Sequence, residues 1–417
     1  MTAIDEGITT REPFLSGVRV LDVTGALAGP YCTTILSDLG AEVIKVEPIS
    51  GDGMRQRIIG GEQRPLPFDL IHRDKESIAL DLKTDDGKTI LRRLAATADV
   101  LVENFRAGAM DKLGLGYEDL RADCPNLVYC SISGFGQDGP MRDAKGVDLI
   151  AQAYGGLMSV TGSVDGEIAK AGYPVSDLGV GMFGAIGVLA ALVRARRGEG
   201  GAFIDVSLAD TVAAWSVWEV ADYVSTGVVP RPLGTAHRLV APYQAFECAD
   251  GPIVIGAVER LWKSLGSVLD IDLSTDPRFQ SEYDRFLHRR ELAEILQERF
   301  RTERRSYWIG RLRDAGIPSG PVNSIDQVLV DEHYLHRKLF LHDQERFGEP
   351  TIVNTPIVAE GAPRARGKAP TIGQNTAELL VELGYSAADV ADLVSRAVVA
   401  VAPQPAPRPA PTAELLP

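Results

Sequence analysis

The chain has 417 residues, of which 45% are apolar and 24% are charged, values typical of folded globular proteins. Its 43 basic and 57 acidic residues give a net charge of −14, which disfavours free nucleic acid and anionic membranes as partners. The length predicts two or three domains.

The cysteines and the apolar runs indicate the compartment. Cys32, Cys124, Cys130 and Cys248 form no C-x-x-C pair. This excludes a cysteine-built zinc or iron–sulfur site and a disulfide framework, and it favours a reducing cytoplasm. The charged first residues predict no secretory signal. The longest apolar run, 178–193, predicts a buried core helix, because a membrane span needs roughly 20 such residues.

The first half of the chain alternates short apolar runs with helix-like stretches. The apolar runs predict strands at 18–23, 42–47, 77–82, 100–104, 127–133 and 203–208. Helices are expected at 31–40, 84–96, 174–197 and 209–226, the second of them capped by Thr84, Asp85 or Asp86. This alternation predicts an α/β fold with a Rossmann-like, mostly parallel sheet.

The second half predicts a smaller α+β domain. A hairpin is expected across Asp250-Gly251, followed by helices up to about residue 337 and by two more at 376–383 and 387–396. The predicted domains are a large domain over 13–226, a small domain over 227–330, and a return to the large domain over 331–400. The six prolines of the last sixteen residues predict a disordered tail over 401–417.

Four glycines are spaced along the predicted helix at 174–197: Gly179, Gly181, Gly184 and Gly187. Each weakens a helix by about 1 kcal/mol, so we expect them to allow close approach of another backbone. The first three also match the dinucleotide fingerprint, which leaves a nicotinamide-dependent oxidoreductase as an alternative. The residues before them include Pro174 rather than an unbroken apolar strand, which argues against it.

Asp177 lies in the expected first turn of the same helix. As a capping residue it would only stabilise the helix end. As a nucleophile it would present a carboxylate beside backbone N–H groups, with bare glycines leaving room for a bulky substrate. A carboxylate nucleophile needs no histidine base, and the sequence has no G-x-S-x-G motif of serine hydrolases. Position alone leaves both interpretations open.

Other chemistry-bearing patterns are weak. The Gly-Lys-Thr at 87–89 lacks the first glycine of a phosphate-binding loop and indicates a helix start. His333, His336 and His342 are expected to be surface residues, so no metal site is predicted. For His237, a structural hydrogen bond is favoured over a role in substrate binding.

The sequence resembles the family III CoA-transferases, a group that includes the α-methylacyl-CoA racemases. The resemblance covers nearly everything from 17 to about 396. It is carried by GVRVLDVTGALAGPYCTTILSDLGAEVIKVEP at 17–48, SIALDLKT at 77–84, VENFRAGAMDKLGLGY at 102–117, SISGFGQDGP at 131–140, SDLGVGMFGAIGVLAAL at 176–192 and AGIPSGPV at 315–322. It implies an acyl-CoA:carboxylate CoA-transferase that moves CoA from an acyl-CoA donor to a small carboxylic acid. A CoA thioester would be the substrate, with no tightly bound cofactor, and the chain would form an interlocked homodimer.

The resemblance also implies the site residues. It places the family's nucleophilic aspartate at Asp177, with an aspartyl anhydride and an aspartyl–CoA thioester as intermediates. The implied CoA contacts are Ala28, Asp81, Leu82, Lys83, Thr84, Asn104, Phe105, Arg106, Lys112, Lys145 and Asp148. The basic members of this set would form a local cationic cleft within an acidic protein.

Three departures narrow the expected reaction. Val147 stands where the racemases of the family carry their base histidine. Leu27 stands where another branch of the family, the formyl-CoA:oxalate CoA-transferases, carries a glutamine. Pro48 replaces an arginine that lies near the adenine in the formyl-CoA branch. An acyl-CoA racemase or epimerase stays as one alternative, and a non-catalytic CoA-binding protein as another.

Overall fold

The computed structural model describes residues 12–57, 66–273, 275–341, 352–358 and 367–402. The predicted tail at 401–417 lies outside these residues from position 403 onward.

The described residues fall into two compact units. The first contains the chain up to Gly155, residues 173–214, and the chain from Lys338 onward. The second contains Gly156–Gly172 and Trp215–Arg337. This grouping differs from the predicted domain boundaries at 226/227 and 330/331, and those boundaries stay predictions.

The strands, in chain order, are β1 Arg19–Val23, β2 Glu42–Glu47, β3 Glu76–Leu80, β4 Val100–Glu103, β5 Val128–Ser133, β6 Ala202–Ser207, β7 Tyr243–Cys248, β8 Gly251–Gly256, β9 Ser319–Pro321, β10 Phe340–Leu341, β11 Ile352–Val353 and β12 Val399–Ala400. The helices are α1 Ala28–Asp38, α2 Leu66–His72, α3 Asp85–Ala95, α4 Ala109–Lys112, α5 Tyr117–Leu120, α6 Asp148–Tyr154, α7 Leu157–Val160, α8 Val175–Ala195, α9 Leu208–Ala214, α10 Val217–Thr226, α11 Trp262–Leu269, α12 Glu282–Leu287, α13 Arg289–Phe300, α14 Arg305–Asp314, α15 Ile325–Leu329, α16 Glu332–His336, α17 Thr376–Glu382 and α18 Ala387–Ser395.

A seven-stranded sheet forms the centre of the first unit, in the order β12-β3-β2-β1-β4-β5-β6. The six longer strands run parallel, and β12 pairs antiparallel with β3 at one edge. Strands β4 and β5 are buried along their whole length, as expected where helices cover both faces of a parallel sheet. The predicted α/β fold with a Rossmann-like, mostly parallel sheet is confirmed.

Local sequence signals explain the helix that follows β3. The Thr84 hydroxyl accepts a hydrogen bond from the Gly87 N–H at 3.0 Å, so it is the residue that caps α3. The apolar residues Ile90, Leu91 and Leu94 of α3 are fully buried in the core of the first unit. The Gly-Lys-Thr at 87–89 is therefore part of a capped helix.

Helix α8 packs closely against α1 and the sheet. A Cβ on Gly181 would lie 2.8 Å from the Ala28 carbonyl oxygen, and one on Gly184 would lie 3.2 Å from Cys32 Sγ. The expected close approach of another backbone is confirmed. By length and composition alone α8 could cross a membrane, but it buries one face and leaves Met182 and Ile186 exposed. It is thus half-buried, where a buried core helix was expected.

The second unit is built on the predicted hairpin. Strands β7 and β8 pair antiparallel, and β9 adds to β8. Helices α11, α13 and α14 contribute to an apolar core that includes Phe246, Phe300 and Trp308. The stretch at 209–226, expected as one helix, is instead α9 and α10, separated at residues 215 and 216. Neither glycine nor proline marks that break, and it coincides with the boundary between the units.

Candidate active site

A cavity of about 380 Å³ lies beyond the carboxyl ends of β1, β4 and β5. Open α/β sheets bind ligands at this edge. Its walls come from the turn after β1, the loops after β4 and β5, and the start of α8. It brings together seven of the residues predicted for the site: Ala28, Asn104, Phe105, Arg106, Lys145, Asp148 and Asp177.

The other predicted residues lie outside this cavity. Asp81, Leu82, Lys83 and Thr84 follow β3, which is separated from β1 by β2. Two of their side chains bond locally, because Asp81 Oδ1 accepts from the Lys83 N–H and Thr84 caps α3. Lys112 is exposed at the end of α4. Any contact of these residues with CoA would involve a part of the ligand that extends past the cavity.

Asp177 is the third residue of α8 and its side chain lines the cavity. The capping position of the helix belongs to Pro174, and no side chain forms a capping hydrogen bond there. Within the described part of the chain, the Asp177 carboxylate has no hydrogen-bond or ion-pair partner. Burial raises its pKa to about 6, and the nearby charge of Asp148 adds to the shift. The structure therefore shows a carboxylate that faces the cavity and does not cap the helix.

Asp148 supports the start of α8. One of its oxygens accepts hydrogen bonds from the Ser176 N–H at 3.0 Å and from the Ser176 hydroxyl at 2.7 Å. The other accepts from Gln152 Nε2 at 2.7 Å. Both oxygens are thus engaged by the protein, and the carboxylate holds the residue that immediately precedes Asp177. Asp148 is predicted to contact CoA, and the structure shows that its side chain holds the start of α8.

The turn after β1 is held in one conformation by Asn104. The Asn104 Oδ1 accepts from the Gly25 N–H at 2.9 Å, and its Nδ2 donates to the Gly25 carbonyl at 2.7 Å. The next residue, Ala26, has φ +61, a left-handed conformation that is costly for a residue with a Cβ. The two hydrogen bonds of Asn104, here called the Asn104 clamp, keep this strained turn at the cavity wall. The neighbouring Phe105 and Arg106 side chains are exposed.

A buried charge network, which the sequence reasoning missed, lies beneath the same turn. Lys75 Nζ contacts Asp22 Oδ2 at 2.8 Å, and both side chains are fully buried. Lys45 Nζ donates to the Thr24 carbonyl at 2.9 Å and pairs with Asp52 at 2.9 Å. Burial opposes the ionisation of Asp22, but the two lysines outweigh it and hold the pKa of Asp22 below its usual range. The available sequence signal was a charged residue inside two of the predicted apolar strands, Asp22 in 18–23 and Lys45 in 42–47.

Three basic side chains line the cavity: Arg106, Arg142 and Lys145. All three are exposed, and their side chains form no ion pair with the described residues. The same lining contains the carboxylates of Asp148 and Asp177, so basic side chains outnumber acidic ones there although the whole chain is acidic. Arg142 was not predicted, since no motif in the sequence singles it out.

No histidine among the described residues lines this cavity. In the second unit, His237 Nδ1 accepts from the N–H groups of Leu239 and Val240 at 3.1 and 3.2 Å, and its ring stacks on Tyr243. This is the structural role that was favoured for it. No cluster of three or more potential metal ligands occurs in the portion that the structure describes, and His342 lies outside that portion.

Comparison with known proteins identifies the family. The model of the family described as CoA-transferase family III matches residues 15–376. The chain is 35% identical over 398 residues to succinyl-CoA:glutarate CoA-transferase from Homo sapiens, which covers 92% of this chain and 90% of that protein. It is 36% identical over 378 residues to acetyl-CoA:oxalate CoA-transferase from Acetobacter aceti, covering 89% and 95% of the two chains.

A solved structure agrees with this assignment. The crystal structure of a CAIB/BAIF family protein from Brucella suis superposes with a TM-score of 0.78 at 35% identity, covering 89% of this chain and 100% of that one. The resemblance stated from the sequence is confirmed, and the chain belongs to CoA-transferase family III.

Proposed function

We propose that the protein is an acyl-CoA:carboxylate CoA-transferase with Asp177 as its nucleophile. The observation that carries the proposal is an unpaired, half-buried carboxylate in a cavity at the carboxyl edge of the sheet. With a pKa of about 6, Asp177 is about 90% ionised at pH 7. A raised pKa also makes the carboxylate a stronger nucleophile than an ordinary surface aspartate. The named transferase relatives support the same reaction class.

The proposed reaction passes through two kinds of covalent intermediate. Asp177 attacks the thioester carbonyl of the donor, the C–S bond breaks, and a mixed anhydride forms as CoA thiolate leaves. The thiolate then attacks the aspartyl carbonyl, which forms an aspartyl–CoA thioester and releases the donor acid. The acceptor carboxylate attacks that thioester, giving a second anhydride and thiolate. Attack of the thiolate on the acceptor carbonyl yields the new acyl-CoA and restores Asp177.

The chain supplies three kinds of assistance to these steps. The backbone N–H groups of residues 26–28 and of Asp177 belong to segments that line the cavity and would stabilise the oxyanions, each typically worth about 3 kcal/mol. Lys145 and Arg106 would bind anionic groups of CoA. We propose that Asp81, Leu82, Lys83 and Thr84, together with Lys112, meet the nucleotide end of CoA beyond the cavity. Asn104 would position the turn at 25–28, and Asp148 would position the start of α8. Ala28 and Phe105 would contact the substrate as part of the cavity wall.

The proposal is tested by trapping the intermediate. Wild-type protein is incubated with an acyl-CoA donor and hydroxylamine, and mass spectrometry is expected to find a hydroxamate on the peptide that contains Asp177. Asp177→Ala should lose both adduct and transfer activity. Asp143→Ala is the matched control, because Asp143 is an exposed aspartate of a cavity loop that does not line the cavity. Full activity in Asp177→Ala would refute the mechanism.

The alternatives predict different observations. A racemase would exchange the α-proton of acyl-CoA for deuterium without an acceptor acid. Val147 lines the cavity where that activity needs a base, which disfavours it. A non-catalytic CoA-binding protein would bind CoA in calorimetry without transfer to any acid. A nicotinamide enzyme is disfavoured because the glycine triplet lies inside α8 and not in a strand-to-helix turn.

We further propose an interlocked homodimer. Helix α10 has no buried residue, and it exposes Val217, Trp218, Val220, Tyr223 and Val224. A helix with so much uncovered apolar surface is typical of an interface. Sedimentation at micromolar concentration should show a dimer, and Val220→Glu should weaken it. A stable wild-type monomer would remove this proposal.

Three expectations stay proposals of the same kind. We propose a cytoplasmic location, which the four free cysteines favour and which cell fractionation tests. We also propose that the protein has no nucleic-acid or membrane partner, as its net charge of −14 favours, and, from the family resemblance, that it has no tightly bound cofactor.

A further inference from the structure

The loop that follows β4 is held at both ends. The Asn104 clamp holds its start, where the Phe105 N–H also donates to Glu103 Oε2 at 2.7 Å. At its other end, the Gly108 N–H donates to Gln137 Oε1 at 3.2 Å. Between these points the loop carries exposed side chains that are predicted to contact CoA. How those side chains meet the ligand therefore depends on the residues that hold the loop.

Gln137, in the loop after β5, is bonded to three neighbouring strands or their loops. Its backbone N–H donates to Asp205 Oδ2 on β6 at 2.8 Å, and its Nε2 donates to Ser131 Oγ on β5 at 2.7 Å. Through Oε1 it reaches Gly108, which follows β4. The Ser131 hydroxyl in turn forms a hydrogen bond with the carboxyl group of Glu103 at the end of β4. Gln137 thus ties the loop after β4 to the two strands beside it.

The partners of Gln137 determine the orientation of its side-chain amide. A backbone N–H can only donate, so the amide oxygen must face Gly108. The amide nitrogen then donates to Ser131 Oγ, and the Ser131 hydroxyl proton is directed to Glu103. Gln137→Met would keep the length of the side chain but remove both hydrogen bonds, which leaves the half-buried Gly108 N–H without this partner.

The bond to Gly108 fixes the turn that presents Arg106. The Ala109 N–H donates to the Arg106 carbonyl at 2.9 Å and closes a turn over 106–109. Gly108 has φ +70, a left-handed conformation that glycine adopts without strain. Arg106 is exposed and lines the candidate active-site cavity. Because Gln137 bonds an N–H inside this turn, it sets the position of the turn relative to β5, to which it is also bonded.

We propose that Gln137 is a positioning residue for CoA binding, which holds the turn at 106–109 so that Arg106 meets an anionic group of CoA. The inference rests on the proposed function, in which Arg106 binds CoA. Gln137 does not line the cavity that contains Asp177, and both polar atoms of its side chain are bonded to the protein. It acts through Arg106, by ordering the loop before the ligand arrives, which lowers the cost of binding.

The test is a double-mutant cycle on the affinity for CoA, measured by calorimetry with CoA alone. Gln137→Met should raise Kd about 5- to 20-fold, because the loop must then be ordered when CoA binds. In the Arg106→Gln background, the same substitution should raise Kd less than about twofold, since no guanidinium remains to be positioned. A merely structural role of Gln137 would lower stability without this dependence on Arg106.

Steady-state kinetics and a second variant accompany the cycle. Gln137→Met should raise KM for acetyl-CoA by a similar factor and change kcat less than about twofold, because none of the hydrogen bonds of Gln137 reaches α8. Ser131→Ala removes the support behind the Gln137 amide but keeps the bond to Gly108, so its rise in Kd should be smaller. Circular dichroism at the assay temperature verifies folding. If Gln137→Met does not fold, Ser131→Ala carries the same cycle.

Gln280→Met is the matched control, because Gln280 is an exposed glutamine of the second unit whose side chain also bonds a backbone carbonyl. It should leave Kd for CoA unchanged. The inference is overturned if Gln137→Met leaves Kd unchanged, or if it raises Kd by the same factor with and without Arg106. If the wild type binds CoA but transfers it to no acid, the proposed function fails and the cycle still decides the inference. A wild type that binds no CoA overturns both.

Discussion

The side-chain amide of Asn104 pairs with both backbone polar groups of Gly25, at 2.9 and 2.7 Å, and so joins the loop after β4 to the turn after β1. Two loops that are 79 residues apart in the chain thereby form one wall of the cavity. The amide thus fixes the shape of this wall, and its predicted contact with CoA stays a prediction.

Asn104→Ala should therefore damage both stability and binding. Losing the two hydrogen bonds leaves the Gly25 N–H and carbonyl unpaired in a half-buried place, which should cost about 1–3 kcal/mol of unfolding free energy. KM for acyl-CoA should rise because the turn at 25–28 relaxes. Denaturant unfolding and steady-state kinetics measure the two effects. Asn126→Ala, at an exposed loop asparagine, is the control, and equal behaviour of the two variants would contradict the clamp.

The charge of Asp177 gives the activity a defined pH dependence. Its pKa of about 6 predicts that kcat/KM falls as pH decreases through 6, because protonation removes the charge of the proposed nucleophile. The stability effect has the opposite sign. The pKa of Asp177 in the folded protein lies above the ordinary aspartate value of 3.8, so ionisation destabilises the fold progressively as pH rises from about 4 to 7.

Replacing the carboxylate tests this relation. Asp177→Asn should be inactive yet more stable than wild type at pH 8, by up to about 3 kcal/mol, and almost equal to it at pH 4. Thermal unfolding followed over this pH range measures the difference. A variant less stable than wild type at pH 8 would show that the carboxylate is paired in solution.

In Asp148→Asn, the fall of kcat/KM in acid should occur at a lower pH than in the wild type. The substitution keeps an oxygen to accept from Ser176 but removes the charge that adds to the raised pKa of Asp177. We expect a shift of up to about one pH unit, because burial, the larger cause, is unchanged. Ser176→Ala serves as the comparison, since it loosens the same support and retains the charge. If kcat/KM of both variants falls at the same pH as that of the wild type, the charge of Asp148 does not raise the pKa of Asp177.

Gly181→Ala should disrupt the packing of α8 on α1. The added methyl would lie 2.8 Å from the Ala28 carbonyl oxygen and 3.2 Å from the Cys32 nitrogen, so a backbone must move. A loss of about 1–3 kcal/mol is expected, with reduced activity because Ala28 lines the cavity. Gly310→Ala is the matched control in α14, where the methyl meets open space and should stabilise by up to about 1 kcal/mol. If thermal melts show that Gly181→Ala is stabilised as well as Gly310→Ala, then Gly181 is not required for the close packing of α8 on α1.

Lys75→Met should be strongly destabilising, by about 3–5 kcal/mol, because it leaves Asp22 charged and buried without its partner. The double variant Asp22→Asn/Lys75→Met should recover much of that loss, since it removes both charges and keeps an acceptor for the Thr24 N–H. Lys88→Met removes a half-buried lysine from a pair with the exposed Asp85 and should change stability by less than about 1 kcal/mol. Urea titrations at pH 7 measure the unfolding free energies of the three variants. If the double variant is no more stable than Lys75→Met, the unpaired charge of Asp22 is not the cause of the destabilisation.

Local pattern was sufficient for much of this protein. The alternation of apolar runs and helix signals predicted the parallel sheet, because strands buried on both faces must be apolar, and Thr84 was among the residues proposed to cap its helix. The glycines of α8 predicted close packing, and the order of motifs identified the family and singled out Asp177. Each of these signals depends on residues near one another in the chain.

Tertiary structure alone decided what those residues do together. Asn104 meets Gly25 and Asp148 meets Ser176 because the fold brings distant segments together at the cavity, and Lys75 meets Asp22 because β3 and β1 lie in the same sheet. The exposed, unpaired state of Arg142 and the raised pKa of Asp177 likewise arise from burial and from neighbours that no local pattern encodes. Hydrogen bonds and charge interactions act over a few ångströms in space, so their partners are set by the fold rather than by distance along the chain.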